Sequence, residues 1–544
     1  RLIARWYRDD RHSAQTLPDD RRERPVLGRA LQHPRIVLLL LGALAALGFP
    51  PVHLWPIALI ALGAGAVLIR FSGSVRSAFF RGWLFGLAHF TVTNLWIATA
   101  FTHQDRMPAV LGWFSVPLLS TYLALYPALA FAAAYRLARG KSTLVYALAL
   151  GGAWIIAEWL RATLFTGYAW GPFSLALLGP FDRPGLAGLL PLTGTYALSG
   201  IAVVLALGLT DQLLQRQWLR MGLASLLLLA AMYWPAGQGE EGTLPYTLVQ
   251  PDLDQDALND PRQYEPGFLT LAALTVRPEE QEGSRLVLWP EGVLPDYLRE
   301  GYPERYYAAT TAGRDPQFAR QRIARVIGEG SLLLTGTMDL EIEGDSAVAA
   351  YNVVTVVDDE GEIVGGYRKA HLVPYGEYLP FRDLLEPIGL SRLVAGSIDF
   401  VPGPGPQTLD LGDYGRAGIQ ICYEIIFSGQ VADGANRPDY IVNPSIDGWF
   451  GPTGPPQHMA QARMRAIEEG LPILRSTTTG ISGVIDARGV VREHIGMGKR
   501  ARIEGSVPPA AAPTLFSLMG NWLALVWALA LLGGSLVVKR RRAV

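Results

Sequence analysis

One cysteine, Cys422, stands in the whole 544-residue chain, so no internal disulfide and no cysteine-cluster metal site can form. It follows the apolar run GIQI and precedes Tyr423-Glu424, a pattern that turns the backbone out of a sheet at the thiol. Strand ends facing a loop layer are where α/β proteins hold reactive groups. A nucleophilic thiol needs a base and a partner for the charge of the thiolate or oxyanion. Two other strand ends offer both. LVLWPEG puts Glu291 behind Trp289-Pro290 at the end of an apolar strand, where loss of water suits a general base. GGYRKAHLVPYGEYLPF puts Lys369 at the end of another, with Glu377 further along the same Pro- and Gly-rich loop. Each residue also has a plainer reading, as a small buried hydrophobe for Cys422 and as a solvated turn for the other two. Three such strand ends in one domain are harder to dismiss. The eight histidines are scattered, with no HExxH and no close carboxylate grouping, so neither a metal centre nor another cofactor is expected.

These residues sit in a segment whose texture suits them. Between 240 and 512, short β-rich runs end in turns, among them 243–250, 284–292, 331–341, 351–369, 415–424, 440–445 and 471–486, with helical patterns at 315–329 and 456–469. Strands alternating with helices over this length predict an α/β or layered α+β domain. Asp358-Asp359-Glu360-Gly361 between two apolar runs predicts a hairpin.

The rest of the chain is a different object. Half of all residues are hydrophobic and only 17% are charged, against about a quarter in an average soluble protein, which disfavours an ordinary cytosolic enzyme. The net charge of -1 hides a split: 39 of the 48 acidic residues, but only 23 of the 47 basic ones, lie between 240 and 513. That segment is strongly acidic and its flanks are basic, and nothing in the balance points to nucleic acid. Residues 1–35 carry nine arginines and no apolar core, and read as a disordered tail. Residues 36–236 contain seven apolar runs, at about 36–50, 54–70, 79–101, 109–135, 143–162, 192–212 and 217–234, and an eighth covers 514–538. Most approach the ~20 residues that cross a bilayer. Lys and Arg are retained on the cytoplasmic side. Eight spans with a cytoplasmic N-terminus put 21 basic residues inside, counting the 539–544 tail, and only Arg106, Arg161 and Arg183 in short outside connections. The expected topology therefore has both termini in the cytoplasm and the acidic segment outside it.

The order Glu291, Lys369, Cys422, in the contexts WPEG, YRKAHLVPYGEYLPF and ICYE, resembles the nitrilase or carbon–nitrogen hydrolase superfamily with its Glu-Lys-Cys triad. Joined to a multispan N-terminal region and one C-terminal span, it is similar to the apolipoprotein N-acyltransferase family. Residues 443–486, together with GFPPVHLWP (48–56), GWLFGLAHF (82–90) and EWLRATLFTGYAWG (158–171), look like family segments as well. The resemblance implies a polytopic α-helical membrane region plus a nitrilase-like α-β-β-α sandwich. It makes Glu291 the general base, Cys422 the nucleophile and Lys369 the stabiliser of the tetrahedral intermediate. Glu377, Glu424, Tyr423, Trp449 and Phe450 match positions around the active pocket. The implied reaction carries an acyl chain from a membrane phospholipid, through a Cys thioester, to the α-amine of the diacylglyceryl-cysteine of an apolipoprotein. The implied setting is the bacterial inner membrane, with a monomeric chain and a periplasmic catalytic domain. The chain departs from the family pattern from Gln250 to Tyr264 and in the spacing between Asn443 and Trp449, and neither departure touches the triad.

Two readings compete with the acyltransferase. A membrane-anchored amidase or nitrilase would use the same triad and give the thioester to water, and a transporter or scaffold would carry an inert domain. The first has no need of the apolar stretch 384–400, read as a lid or membrane-dipping arm or else as core. The second predicts ionisable residues along a membrane pathway. Apart from Asp211 at the very end of 192–212, Glu158 is the only acidic residue inside an expected span, and Arg161 lies three residues on. Their pairing on one helical face is the expected arrangement, with anchoring of the catalytic domain or of a lipid headgroup as the alternative.

Overall fold

The computed structural model describes residues 33–103, 108–237, 239–277, 283–388 and 398–538. The expected tail over 1–35 apart from its last residues, the 539–544 tail, Arg106 and most of the 384–400 stretch lie outside the described residues.

The N-terminal half is a bundle of apolar helices: α1 (Pro34–Ala46), α2 (Trp55–Arg70), α3 (Val75–Thr93), α4 (Leu111–Leu123), α5 (Leu125–Ala138), α6 (Thr143–Thr163), α7 (Leu190–Leu214) and α8 (Trp218–Tyr233). Ser74 and Ser142 open α3 and α6 by accepting from Ser77 and Val145 backbone N–H groups, which satisfies donors that a helix start leaves unpaired. Among the described residues, Leu111–Ala138, Thr143–Thr163 and Leu186–Leu214 are long and apolar enough to cross a bilayer, and Val75–Thr93 with Ile97–His103 forms a fourth such stretch bent by 52°. The remaining helices α1, α2, α8 and Trp522–Val537 are apolar but shorter. Small residues let the helices close on one another, as membrane bundles require. A Cβ on Gly42 would stand 2.1 Å from the Phe85 carbonyl oxygen.

The acidic half holds two six-stranded sheets. The first runs β12-β1-β2-β3-β4-β5, built from Ala501–Ser506, Pro245–Gln250, Arg285–Leu288, Ser331–Glu343, Ser346–Val357 and Ile363–Arg368. The second runs β11-β10-β9-β8-β7-β6, from Val491–Ile495, Ser482–Ile485, Ile473–Thr477, Tyr440–Ser445, Arg416–Ile419 and Thr408–Asp410. Strands β1, β2 and β3 are mutually parallel, as are β7, β8 and β9, so their carboxyl ends point one way and gather the loops that follow them. The expected hairpin joins β4 to β5, with Asp358 accepting from Glu360 and Glu362 N–H.

Alternation of side chains makes the layers. Leu286 and Leu288, Leu332 and Leu334, Val354 and Val356 enter a core shared with Ile419, Ile441 and Ile473 of the second sheet. Their neighbours Val287, Leu333 and Val357 face the other way, against Leu271 of helix α9 (Tyr264–Thr275) and Ile323 and Ile327 of α10 (Pro316–Ile327). The domain is the α-β-β-α sandwich that the resemblance implied. Helix α11 (Gly454–Glu469) is shared. Met459, Ala462 and Ala466 belong to the sandwich core, while Ala460, Met464 and Ile467 belong to the core of the membrane bundle. Helix α12 (Trp522–Val537) then packs back on α6 and α7.

Candidate active site

Three strand ends converge. Lys369 is the residue after β5, Glu291 lies three residues after β2, and Cys422 lies three residues after β7. The Lys369 ammonium donates to Glu291 Oε1 at 3.2 Å and to Glu377 Oε1 at 3.0 Å. Asn352, in β4, donates from Nδ2 to the same two oxygens, each at 2.8 Å. The remaining oxygens are also occupied: the Ile446 N–H donates to Glu291 Oε2 at 2.9 Å and the Val373 N–H to Glu377 Oε2 at 2.8 Å. Glu291, Lys369 and Glu377 are all buried. Burial disfavours the ammonium, but the Glu291 and Glu377 carboxylates outweigh it and hold Lys369 above the usual lysine range.

Cys422 is buried, with φ +50. A non-glycine residue is held in that left-handed region only where its surroundings over-determine it, and two networks do so. Glu424 accepts from the Ile421 N–H at 2.7 Å, and across the sheets from Tyr367 Oη at 2.8 Å, Ala370 N–H at 2.7 Å and His371 N–H at 3.1 Å. It thereby ties the turn carrying the thiol to the loop carrying Lys369. Burial outweighs these donors and pushes Glu424 up to about 7. On the other side, His458 of α11 donates from Nε2 to the Cys422 carbonyl oxygen at 3.0 Å. Burial and the nearby Arg475 cation lower its basicity, so the imidazole is neutral and its Nδ1 accepts from Arg475 at 3.0 Å. Arg475 also forms a 2.8 Å ion pair with Asp447 and bonds to Asn443. Burial resists the Asp447 charge, but the Arg475 cation holds that carboxyl well below the usual range.

The thiol feels both catalytic candidates. Burial and then the Glu291 carboxylate push Cys422 up, while the Lys369 ammonium and a hydrogen bond with Ser445 pull it down. The net rise means a protonated thiol at neutral pH, so a base must take its proton at the moment of attack.

The other expected residues are spread around this centre. Tyr423 packs edge-on against Phe427, with ring centroids 5.2 Å apart. Phe450 is buried among Trp96, Trp170 and His458, at 4.9, 5.5 and 5.3 Å, and so packs against the imidazole that holds the Cys422 carbonyl. Trp449 meets His103 at 5.9 Å. Gln250, where the family pattern departs, ties the sheets together: it donates to the Gly496 and Lys499 carbonyls and accepts from Ser482 and Thr477. Tyr264 simply opens α9. Sequence reasoning passed over Asn352, Asp447 and Arg475 as site residues. The available signal was an amide inside the apolar strand YNVVTVV, since a buried polar group in a strand must have a partner.

The expected pairing of Glu158 with Arg161 is not what the structure holds. Glu158 accepts from Trp154 Nε1 and the Phe173 N–H, whereas Arg161 donates to the Trp170 and Gly171 carbonyls. No ion pair joins the two among the described residues. Residues 170–173, in the segment that follows α6, fold back on it and supply the backbone groups that satisfy both side chains. That same segment docks the catalytic domain, since Trp170 Nε1 donates to Gln457 at 2.8 Å and the Gly171 N–H to Gln461 at 3.2 Å, both on α11.

Residues 41–208 match the family model of the apolipoprotein N-acyltransferase N-terminal domain, and residues 248–498 match that of the carbon–nitrogen hydrolases. An apolipoprotein N-acyltransferase of Rhodopseudomonas palustris is 34% identical over 93% of this chain and 95% of its own length. One of Bradyrhizobium diazoefficiens is 35% identical over the same shares. Among solved structures, a Saccharomyces cerevisiae member of branch 10 of the nitrilase superfamily is 18% identical, covers 57% of this chain and all of its own, and gives a TM-score of 0.35. The full-length matches cover the apolar helices and the sandwich together, and the chain belongs to the apolipoprotein N-acyltransferase family, as a membrane protein and an acyltransferase.

Proposed function

We propose that the protein moves an acyl chain from a membrane phospholipid to the α-amine of the diacylglyceryl-cysteine of an apolipoprotein, through a thioester on Cys422. The observation that carries this reading is the use of the Lys369 ammonium. An ammonium has three N–H donors, and two of them are held on Glu291 and Glu377, so the third is available to an oxyanion formed at the neighbouring thiol.

The steps follow from the charges. Glu291 takes the thiol proton as sulfur attacks the donor ester carbonyl, and the resulting oxyanion faces Lys369 in a buried site, where such stabilisation is worth most. Collapse breaks the ester C–O bond. The departing lysophospholipid alkoxide takes the proton back from Glu291, leaving the thioester. The acceptor amine then attacks, Glu291 removes its proton, the C–S bond breaks as the amide forms, and the departing thiolate takes that proton from Glu291, which restores the resting pair. Net charge in the Glu-Lys-Glu-Cys cluster is unchanged by the first proton transfer, which spares a dry site the cost of a new charge. Glu377, Asn352 and Glu424 act as positioning residues. The setting proposed is the bacterial inner membrane, with a monomeric enzyme, cytoplasmic termini and a periplasmic catalytic domain.

Purified full-length protein mixed with phospholipid alone should gain one acyl mass on Cys422, and a diacylglyceryl-cysteine peptide should then discharge it as the amide. Cys422→Ala should show neither event. Transfer surviving in Cys422→Ala would sink the mechanism, and discharge to free fatty acid at the same rate with and without peptide would favour a hydrolase.

A further inference from the structure

Buried polar groups almost always have a partner, and leaving a donor unpaired is costly. Three unpaired donors gather where the membrane helices meet the catalytic domain: Asn94 Nδ2, Trp96 Nε1 and Arg161 Nε. Asn94 and Arg161 are each 1% exposed and Trp96 8%.

Direct contacts join them into one cluster. Tyr168 Oη donates to Asn94 Oδ1 at 2.7 Å, and the Tyr168 N–H donates to the Arg161 carbonyl at 2.8 Å. Arg161 in turn donates to the Trp170 carbonyl at 2.8 Å, and the Trp170 ring lies 4.4 Å from that of Trp96. Asn94 and Trp96 sit at the 52° break after α3, and Arg161 is in the last turn of α6. All three orphans are N–H donors and one belongs to a cation, so the complement is a set of acceptor oxygens with negative charge. Aromatic faces surround them, with Arg161 lying over the Phe90 ring at 5.0 Å. The nucleophile is close: the Trp170 ring lies 5.3 Å from that of His458, whose Nε2 is 3.0 Å from the Cys422 carbonyl oxygen.

We propose that Asn94, Trp96 and Arg161 hold the phosphate and glyceryl ester oxygens of a glycerolipid while its scissile acyl ester lies at Cys422. This rests on the acyl-transfer reading above. A polar group anchored by the helices and an ester presented to the thiol would account for a catalytic domain clamped through Gln457 and Gln461 onto the 168–171 segment. Both the phospholipid donor and the diacylglyceryl acceptor carry glyceryl esters, and only the donor adds a phosphate.

The two half-reactions separate these sources. In full-length protein, Trp96→Phe deletes one donor, and Asn94→Leu deletes one donor together with the Oδ1 acceptor of Tyr168; each should weaken lipid binding about 3- to 10-fold. Acyl-adduct formation is followed by intact mass against dioleoyl phosphatidylethanolamine in mixed micelles, and discharge of the preformed adduct against a diacylglyceryl-cysteine peptide. The expected result is a 3- to 10-fold higher half-saturation for the phospholipid, with the limiting acylation rate within about twofold of wild type. A rise confined to the peptide step would support the same cluster as a site for the acceptor's glyceryl group. Half-saturations unchanged in both steps, or a loss of limiting rate together with a lower unfolding temperature, would overturn the proposal and leave buried water as the partner. A second readout is independent of turnover: in the Cys422→Ser background, phospholipid retained in native mass spectra should fall when Trp96→Phe and Asn94→Leu are added. Unchanged retention would count against the site even if wild type acylates, whereas absence of any wild-type adduct would strike the acyl-transfer reading instead.

Discussion

Gly336 offers a sharp test of how tightly the proposed base is held. It lies in β3, where its N–H donates to the Pro290 carbonyl at 3.1 Å. A Cβ there would stand 2.4 Å from Glu291 Cα, 2.5 Å from the Gly292 nitrogen and 2.8 Å from the Glu291 carbonyl carbon. All three are backbone atoms and cannot swing aside. Reaching an ordinary separation of about 3.5 Å requires a shift of about 1 Å, carried directly into the residue whose carboxylate is held by Lys369, Asn352 and Ile446. Misplacement of about 1 Å at a reacting group costs about a hundredfold, or about 2.7 kcal/mol of barrier, and overpacking costs about 1–3 kcal/mol of stability. Gly336→Ala should therefore form the Cys422 acyl adduct about a hundredfold more slowly, as read by intact mass at saturating phospholipid. Gly365→Ala in β5 is the control, because its Cβ would meet Val356 at 3.4 Å, an ordinary contact, and it should acylate at the wild-type rate. If Gly336→Ala acylated within threefold of wild type while remaining folded, the claim that the Glu291 position is decisive would fail.

Three further outcomes follow from the buried charges. Asp447→Asn leaves Arg475 without its anion and should cost about 3–5 kcal/mol. Because the folded Asp447 carboxyl is held below the usual 3.8, the gap from wild type in unfolding experiments should be constant from pH 8 to 5 and shrink only as pH falls through the acid range. Glu424 has the opposite sign: its folded value of about 7 exceeds 4.5, so its contribution to stability is full below pH 4.5 and is lost as pH rises through 7. In unfolding temperatures measured from pH 4.5 to 8, Glu424→Gln should flatten that slope, and parallel curves would contradict the assignment. The raised Cys422 thiol should make iodoacetamide labelling of the resting enzyme climb with pH up to 9, and a plateau below pH 8 would show a preformed thiolate instead.

Much of the frame was legible because its signals are local. The apolar runs LVLW and GIQI placed strand ends within three residues of Glu291 and Cys422, and YRK placed Lys369 directly after β5. The two arginines of α11 carry no such local signal. Arg463 and Arg465 look like a solvated face, yet both are buried: Arg463 donates to the carbonyls of Gly179, Pro180, Arg183 and Gly489, and Arg465 pairs with Glu468. Buried cations of this kind arise from where two domains meet, which no periodicity reports. The same holds for Asn352, whose partner Glu291 is 61 residues away in the chain.

By itself, then, the sequence determined the division into an apolar, basic region and an acidic α/β domain, together with the single thiol available for covalent chemistry. Hydrophobic period and composition act over a few residues, so they survive in the linear chain. Tertiary structure alone decided that one lysine bridges two carboxylates, that Glu424 ties the nucleophile's turn to the lysine's loop, and that Arg161 faces Trp170 rather than Glu158. Those choices are made by which strand ends and helix termini converge in a dry interior, where each buried donor and charge must take the nearest partner the fold provides.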